Sequence, residues 1–156
     1  MPHEFLEDEF ELQADNSSAI VSPWGASLMQ LSINGREVIA HGTAKAAREA
    51  YFGVTLAPWP NRLAGGSWSL KGNKLSSKLN DHLELGDEAN ANHGLVFDRK
   101  FEISTRTENS VVFRIFLGDD AVYPFKLQLD VKYLLIRDQI EVTISASNLS
   151  NQKAPI

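Results

Sequence analysis

The chain contains no cysteine, and that absence removes disulfide scaffolds, thiolate zinc sites and cysteine nucleophiles together. Basic charge is scarce: Lys and Arg total 15 against 20 Asp and Glu, a formal net charge of −5. Scattered basic residues on an acidic chain offer no footprint for a phosphate backbone, so no nucleic-acid partner is expected. Long hydrophobic runs are missing too. No stretch approaches the ~18 apolar residues of a membrane helix, so no membrane partner is expected. The segment Met1 to Glu9 is acidic where a signal peptide would be basic, and no apolar run follows it, which points to a cytoplasmic protein. Asn16-Ser17-Ser18 and Asn148-Leu149-Ser150 match the glycosylation pattern and read as chance matches. Phosphate-cradling Gly-rich motifs and a Gly-x-Ser-x-Gly elbow are absent from the sequence. Helical pattern is nearly absent as well: only Thr43 to Ala50 has the propensity, and at that length a helix is marginal alone.

What is present is alternation. With 156 residues, 43% of them hydrophobic, the length suits one domain spanning 1–156, able to bury roughly 68–70% of its unfolded surface. From Lys126 to Tyr133 the apolar side chains Leu127, Leu129, Val131 and Tyr133 alternate with Lys126, Gln128, Asp130 and Lys132. That spacing predicts a strand with one buried and one wet face. Ile140, Val142, Ile144 and Ala146 form a second inward set after an Arg137-Asp138 turn, and Val111, Phe113, Ile115 and Leu117 a third. Phe101 and Ile103 begin the strand before it. Asn34-Gly35 between two apolar runs is a strong hairpin signal, and Gly72-Asn73 predicts another turn. Many short strands at close spacing indicate an all-β fold, an antiparallel β-sandwich.

Two stretches break the meander: residues 57–66, with Pro58 and Pro60, and residues 86–98, rich in Gly, Asn and acids. Both read as long connections on a rigid scaffold, where binding groups concentrate. His3, His41 and His82 read as solvated surface residues. His93, in Asn90-Ala91-Asn92-His93-Gly94, stands where glycine and short polar residues let an imidazole approach a ligand; a loop histidine without function is equally open. Trp59, Asn61 and Arg62 put an aromatic face, an amide and a guanidinium within four positions, the mixture that recognises sugars. The competing reading makes Arg62 a pin for its own loop and Trp59 part of the core. No metal site is expected, since the histidines lack ligand spacing and Asp119-Asp120 reads as a turn.

The residues Gly53 to Leu63 (GVTLAPWPNRL), then Gly66-Ser67-Trp68 and Gly72, resemble the aldose 1-epimerase (galactose mutarotase) family. Asn90 to Val96 is similar to that family's Asn-x-x-His-Gly segment, and Tyr123-Pro124-Phe125 through Pro155 continues the match. The resemblance implies a β-supersandwich of the galactose-mutarotase type, acting on a small free aldose of the galactose or glucose type without a cofactor. It implies interconversion of α and β anomers by general acid–base ring opening, with His93 catalytic and Arg62, Asn61 and Trp59 binding substrate. Members of the family are about twice this long, and their second histidine and base glutamate follow the point where this sequence stops. Glu84 and Glu88 match nothing in the family pattern. The chain is therefore expected to be the N-terminal half of such a domain, with little activity alone. Three alternatives follow: a non-catalytic carbohydrate-binding or sensor module, a hexose-6-phosphate epimerase relative, or a sandwich that self-associates through exposed strand edges.

Overall fold

The structure, a computed structural model, describes residues 8–42, 49–82, 89–118 and 120–156; of residues 81, 82 and 89 it describes the backbone alone. Most of the Thr43–Ala50 segment, His3, Glu84, Glu88 and Asp119 lie outside the described residues, as does the side chain of His82.

Four antiparallel strands open the chain: β1 (Phe10–Ala14), β2 (Ser17–Ser22), β3 (Ser27–Ile33) and β4 (Arg36–Ile39), in that spatial order. Asn34 and Gly35 close the β3–β4 hairpin with φ of 51° and 73°, the doubly left-handed geometry that Asn-Gly tolerates. Five short strands follow: β5 (Arg62–Leu63), β6 (Ser67–Leu70), β7 (Asn73–Ser76), β8 (Asp81–His82) and β9 (Ala89–Asn92). β6 and β7 form a hairpin whose left-handed residues are Lys71 and Gly72, one position earlier than the sequence suggests. β5, β9 and β8 form a three-stranded sheet with β9 in the middle.

The last four strands are β10 (Glu102–Arg106), β11 (Ser110–Leu117), β12 (Leu127–Ile136) and β13 (Gln139–Asn148), again antiparallel and in chain order. This second large sheet packs through β12 onto β1 and β2. Leu12, Ala19, Val21 and Leu31 meet Val111, Phe113, Leu129, Val131 and Leu135 between the layers. The fold is therefore all-β and sandwich-like, as the alternation predicts. Burying one such aliphatic or aromatic side chain stabilises by roughly 1.5–3 kcal/mol. Phe113, fully buried, has Tyr133 edge-on at 6.2 Å and Phe10 tilted at 5.9 Å. The Tyr133 hydroxyl crosses the sandwich and donates to the Ala26 carbonyl at 2.7 Å. Burial pushes that phenol well above the ordinary tyrosine pKa.

On the outer face of the second sheet, Arg114 and Asp130 stand directly opposite on β11 and β12. Arg114 donates to both Asp130 oxygens, at 2.7 and 2.8 Å. The guanidinium holds the Asp130 carboxyl below its usual range, because it bonds the charged form.

The inward set Ile140, Val142, Ile144 and Ala146 departs from expectation. Register places them opposite Leu135, Tyr133, Val131 and Leu129, on the core side of the sheet. Yet Val142 and Ile144 are 49% and 58% exposed. The first sheet covers β11 and β12, whereas β13 lies at the sheet's edge and receives no such cover among the described residues. Ile103 on β10 is likewise exposed, beside a register shift between Ile103 and Thr105.

Candidate functional site

The two stretches that interrupt the meander come together. β5 and β9 pair with Arg62 opposite Asn92 and Leu63 opposite Ala91, so Arg62 lies one pairing position from His93. A lone bridge joins Ala57 to Gly94, and Leu95 N–H donates to the Ala57 carbonyl at 2.7 Å. His93 N–H donates to the Asn61 carbonyl at 3.1 Å. The Pro-rich loop and the His-Gly loop are thus laced together on both sides of His93.

Residues 86–98 were expected to be connection throughout, but Ala89–Asn92 is a strand and a central one. Asn has low strand propensity, which is why the pattern hides it. The side chains replace what propensity lacks. Asn90 and Asn92 are both buried, and the Asn90 Oδ1 accepts from Gly65 N–H at 3.3 Å. Asn80 grips the Asn92 backbone twice: its amide donates to the Asn92 carbonyl, and its Oδ1 accepts from the Asn92 N–H. Asn92 keeps its own Oδ1 buried with no hydrogen-bond partner, at the position paired with Arg62.

His93 is half-buried and left-handed, with φ of 61°. Its Nδ1 lies 2.8 Å from the Pro60 carbonyl oxygen. A carbonyl only accepts, so Nδ1 carries the proton and Nε2 of the neutral ring is the bare nitrogen. The ring of Tyr51 stands edge-on to the imidazole, with centroids 4.1 Å apart, and rests in turn on Phe97 at 5.0 Å. Backbone bonds, a carbonyl and an aromatic wall together fix which nitrogen His93 offers.

The other site residues divide by what they do. Asn61 Oδ1 accepts from the Arg62 N–H at 2.8 Å, so this side chain shapes the turn that presents Arg62. Arg62 is exposed at the start of β5. Trp59 donates its indole N–H to the Ala91 carbonyl at 3.3 Å and leaves its ring half-buried. It lines a mostly apolar cleft of about 320 Å³ with Pro60, Leu63, Trp68, Tyr123 and Pro155. Arg62 and His93 are not among the lining residues of that cleft. Trp59 is thus partly packed against the core, as one reading of the sequence has it, and keeps one side on the cleft.

His41 is exposed and lies 3.2 Å from Glu9. Asp120 caps its own turn by accepting from Val122 N–H at 2.9 Å. Among the described residues no group of three or more acidic or histidine side chains could hold a metal ion, and no helix is long and apolar enough to cross a membrane. Sequence reasoning missed Tyr51 and the Pro60 carbonyl. Tyr51 stands two residues before the Gly53 at which the motif begins, so a search one turn upstream would have reached it. The role of a carbonyl oxygen leaves no mark in a sequence.

A sequence profile described as aldose 1-epimerase matches residues 8–156, and the chain belongs to that family. YihR, a protein of Escherichia coli K12, is 31% identical over 145 residues, covering 92% of this chain and 46% of its own length. Human galactose mutarotase is 27% identical over 160 residues, covering 96% of this chain and 44% of that protein. A galactose mutarotase related enzyme from Lactobacillus acidophilus matches in structure with a TM-score of 0.72 at 21% identity, over 94% of this chain and 45% of that one. A galactose mutarotase-like protein from Lactobacillus casei matches with a TM-score of 0.71 at 16% identity, over 92% of this chain and 45% of that one. The fold is thus of the galactose-mutarotase type, and the chain spans less than half the length of the relatives it matches.

Proposed function

We propose that the laced loops are the sugar-binding part of an aldose 1-epimerase, and that residues 1–156 form the N-terminal part of one galactose-mutarotase-like domain. The observation that carries this reading is the His93 geometry: Nδ1 tied to Pro60, Nε2 bare, and Arg62 one pairing position away. A neutral imidazole offering Nε2 accepts a hydrogen bond from a sugar hydroxyl; once protonated, it donates to a ring oxygen. Arg62 supplies a planar fork of donors to adjacent hydroxyls. Trp59 supplies an apolar face for the C–H side of a pyranose.

Anomer interconversion needs a base to take the C1 hydroxyl proton and an acid to protonate the ring oxygen. The C1–ring-oxygen bond then breaks, the aldehyde rotates about C1–C2, and the reverse steps close the ring on the other face. No atoms or electrons enter or leave, so no cofactor is called for. Each well-placed acid or base contributes typically about 10²–10⁴-fold. His93 fills one of the two roles, and no carboxylate among the described residues contacts it, so the 156-residue chain should bind sugar while turning it over little.

Calorimetric titration with free galactose and glucose, beside polarimetry of freshly dissolved α-anomers, tests the proposal. Binding that is lost in both Arg62→Ala and His93→Ala, with the fold retained, supports it. Binding unchanged in both variants refutes it. Acceleration of mutarotation by the chain alone would refute the claim that the partner acid or base is missing from it.

A further inference from the structure

One hydroxyl ties together three turns of the two large sheets. Ser17, buried at the start of β2, accepts from the Asn34 N–H at 3.0 Å and donates to the Arg137 carbonyl. Asn34 belongs to the β3–β4 turn and Arg137 to the β12–β13 turn, so this side chain joins the first sheet to the second. One position on, the Gly35 N–H donates to the carbonyl of Asn16, in the β1–β2 turn, at 2.9 Å. The side chain of Asn34 itself is exposed. Asn-Gly occurs once in the sequence, at this turn. It is the dipeptide most prone to cyclise, because glycine has no Cβ to screen its nitrogen from the asparagine amide. Asn90 and Asn92 are buried, Asn109 commits its amide to the Leu135 carbonyl at 3.1 Å, and none of the three precedes glycine.

We propose that Asn34 is a site of spontaneous deamidation and that the joint around Ser17 sets its rate. The Gly35 nitrogen gives up its proton to base and attacks Asn34 Cγ. A C–N bond closes a cyclic imide, the Cγ–Nδ2 bond breaks, and the nitrogen leaves as ammonia, taking up a proton equal to the one lost. Water then adds to one imide carbonyl or the other, leaving aspartate or, with the main chain routed through Cγ, isoaspartate. The fold opposes the first step twice. The proton to be lost is held by the Asn16 carbonyl. The nitrogen cannot turn toward Cγ while the turn, with φ of 51° and 73°, is clamped by Ser17. Cyclisation therefore waits on local opening of the joint, and its rate follows the population of the open form. Either product sets a carboxylate beside the surface hollow that Asp15 and Gly35 line, and isoaspartate adds a carbon to the main chain of the hairpin turn. The inference stands apart from the sugar-site reading, since none of these residues belongs to the laced loops.

Peptide mapping by mass spectrometry, on the whole chain incubated at mildly alkaline pH, is the test, with an isoaspartate methyltransferase as second detector. A synthetic peptide of residues 28–39 keeps Asn34-Gly35, lacks the joint and serves as the reference. Asn34 is expected to react before any other asparagine, yet about tenfold or more slower than in the peptide. Hydrogen exchange at the Gly35 amide should be slowed by the same factor, because both reactions pass through the same opening. Ser17→Ala removes both bonds of the hydroxyl and should speed deamidation about fivefold or more. Ser147→Ala, at an exposed position on β13, should leave the rate unchanged. Circular dichroism checks that both variants fold. Reaction at Asn34 as fast as in the peptide, or first at another asparagine, overturns the proposal. A folded Ser17→Ala chain that reacts no faster overturns it as well. Where that variant does not fold, the exchange comparison on the original chain decides, and an unprotected Gly35 amide refutes the gate.

Discussion

Replacing Gly94 by alanine should damage the site from inside its scaffold. Gly94 has φ of 75°, and a Cβ built there lies 2.1 Å from the Ala57 carbonyl oxygen and 2.4 Å from its carbon. Both are backbone atoms, more than 1 Å inside the roughly 3.5 Å of an unstrained contact. Three costs combine. The left-handed backbone costs an alanine about 1 kcal/mol. Relieving the overlap costs about 1–3 kcal/mol, as overpacking does in a tight interior. Pushing the two loops apart also weakens the 2.7 Å bond from Leu95 N–H to Ala57 O, about 0.5–1.5 kcal/mol net. The expected loss is about 3–5 kcal/mol, a large part of the 5–15 kcal/mol typical of a domain.

Gly72 is the control. It has φ of 83° and nothing within 4 Å of a built Cβ, so Gly72→Ala carries the backbone cost alone, about 1 kcal/mol. Urea unfolding followed by the fluorescence of the three tryptophans measures both variants in one assay. Sugar titration without denaturant then asks whether Gly94→Ala has moved His93 away from Arg62. If Gly94→Ala falls within about 0.5 kcal/mol of Gly72→Ala and sugar binding survives, the close approach of the two loops does not organise the site, and the reasoning fails.

The ion pair and the buried phenol predict opposite limbs of a stability profile. Asp130 has a lowered pKa in the fold, so its contribution is present above the unfolded carboxylate range near pH ~4 and fades as pH falls through the folded value. Asp130→Asn should therefore lower stability at neutral pH and flatten the acid limb, measured by urea midpoints from neutral to acid pH. Tyr133 has a raised pKa, so the fold keeps its proton after the unfolded chain has lost it. Stability should fall as pH rises past about 10. Tyr133→Phe should cost about 1 kcal/mol at neutral pH, by losing the bond to Ala26, and remove that part of the alkaline decline.

Strands β11 and β12 were legible in the sequence because each buries one face against the first sheet. Leu127 to Leu135 at every second position needs no tertiary knowledge. β13 carries the same alternation, but alternation reports which face would be buried and not whether anything covers it. The β1–β2 hairpin was missed although Phe10, Leu12 and Ala14 alternate with Glu11 and Gln13, because that run is only five residues long and its partner Ser17–Ser22 is half serine. β9 was missed for a related reason, since two of its buried residues, Asn90 and Asn92, are asparagines tied to Gly65 and Asn80. Of the site, His93, Arg62, Asn61 and Trp59 stood out as residue types, and the structure brings all four onto the laced loops. Their division of labour was hidden. Asn61 shapes the turn, Trp59 ties itself to Ala91, and Tyr51 and Pro60 orient His93, and each of these depends on contacts remote in sequence or on backbone atoms.

The bond from His93 Nδ1 to the Pro60 carbonyl makes the ring a strut, and on the proposed sugar-site reading the same ring is also the reagent. The two duties sit on different nitrogens, and smaller amides can copy them only one at a time. Asparagine can place an N–H where Nδ1 stands, keeping the loops stitched while offering nothing to a sugar. Glutamine can reach toward the place of Nε2 but leaves Pro60 without its donor. A loop that loses its ligand contact while holding its shape, and one that keeps the contact while losing its shape, are thus separable by two single substitutions. Histidine is the side chain that satisfies both ends at once, so the chemistry and the local architecture at this position constrain each other.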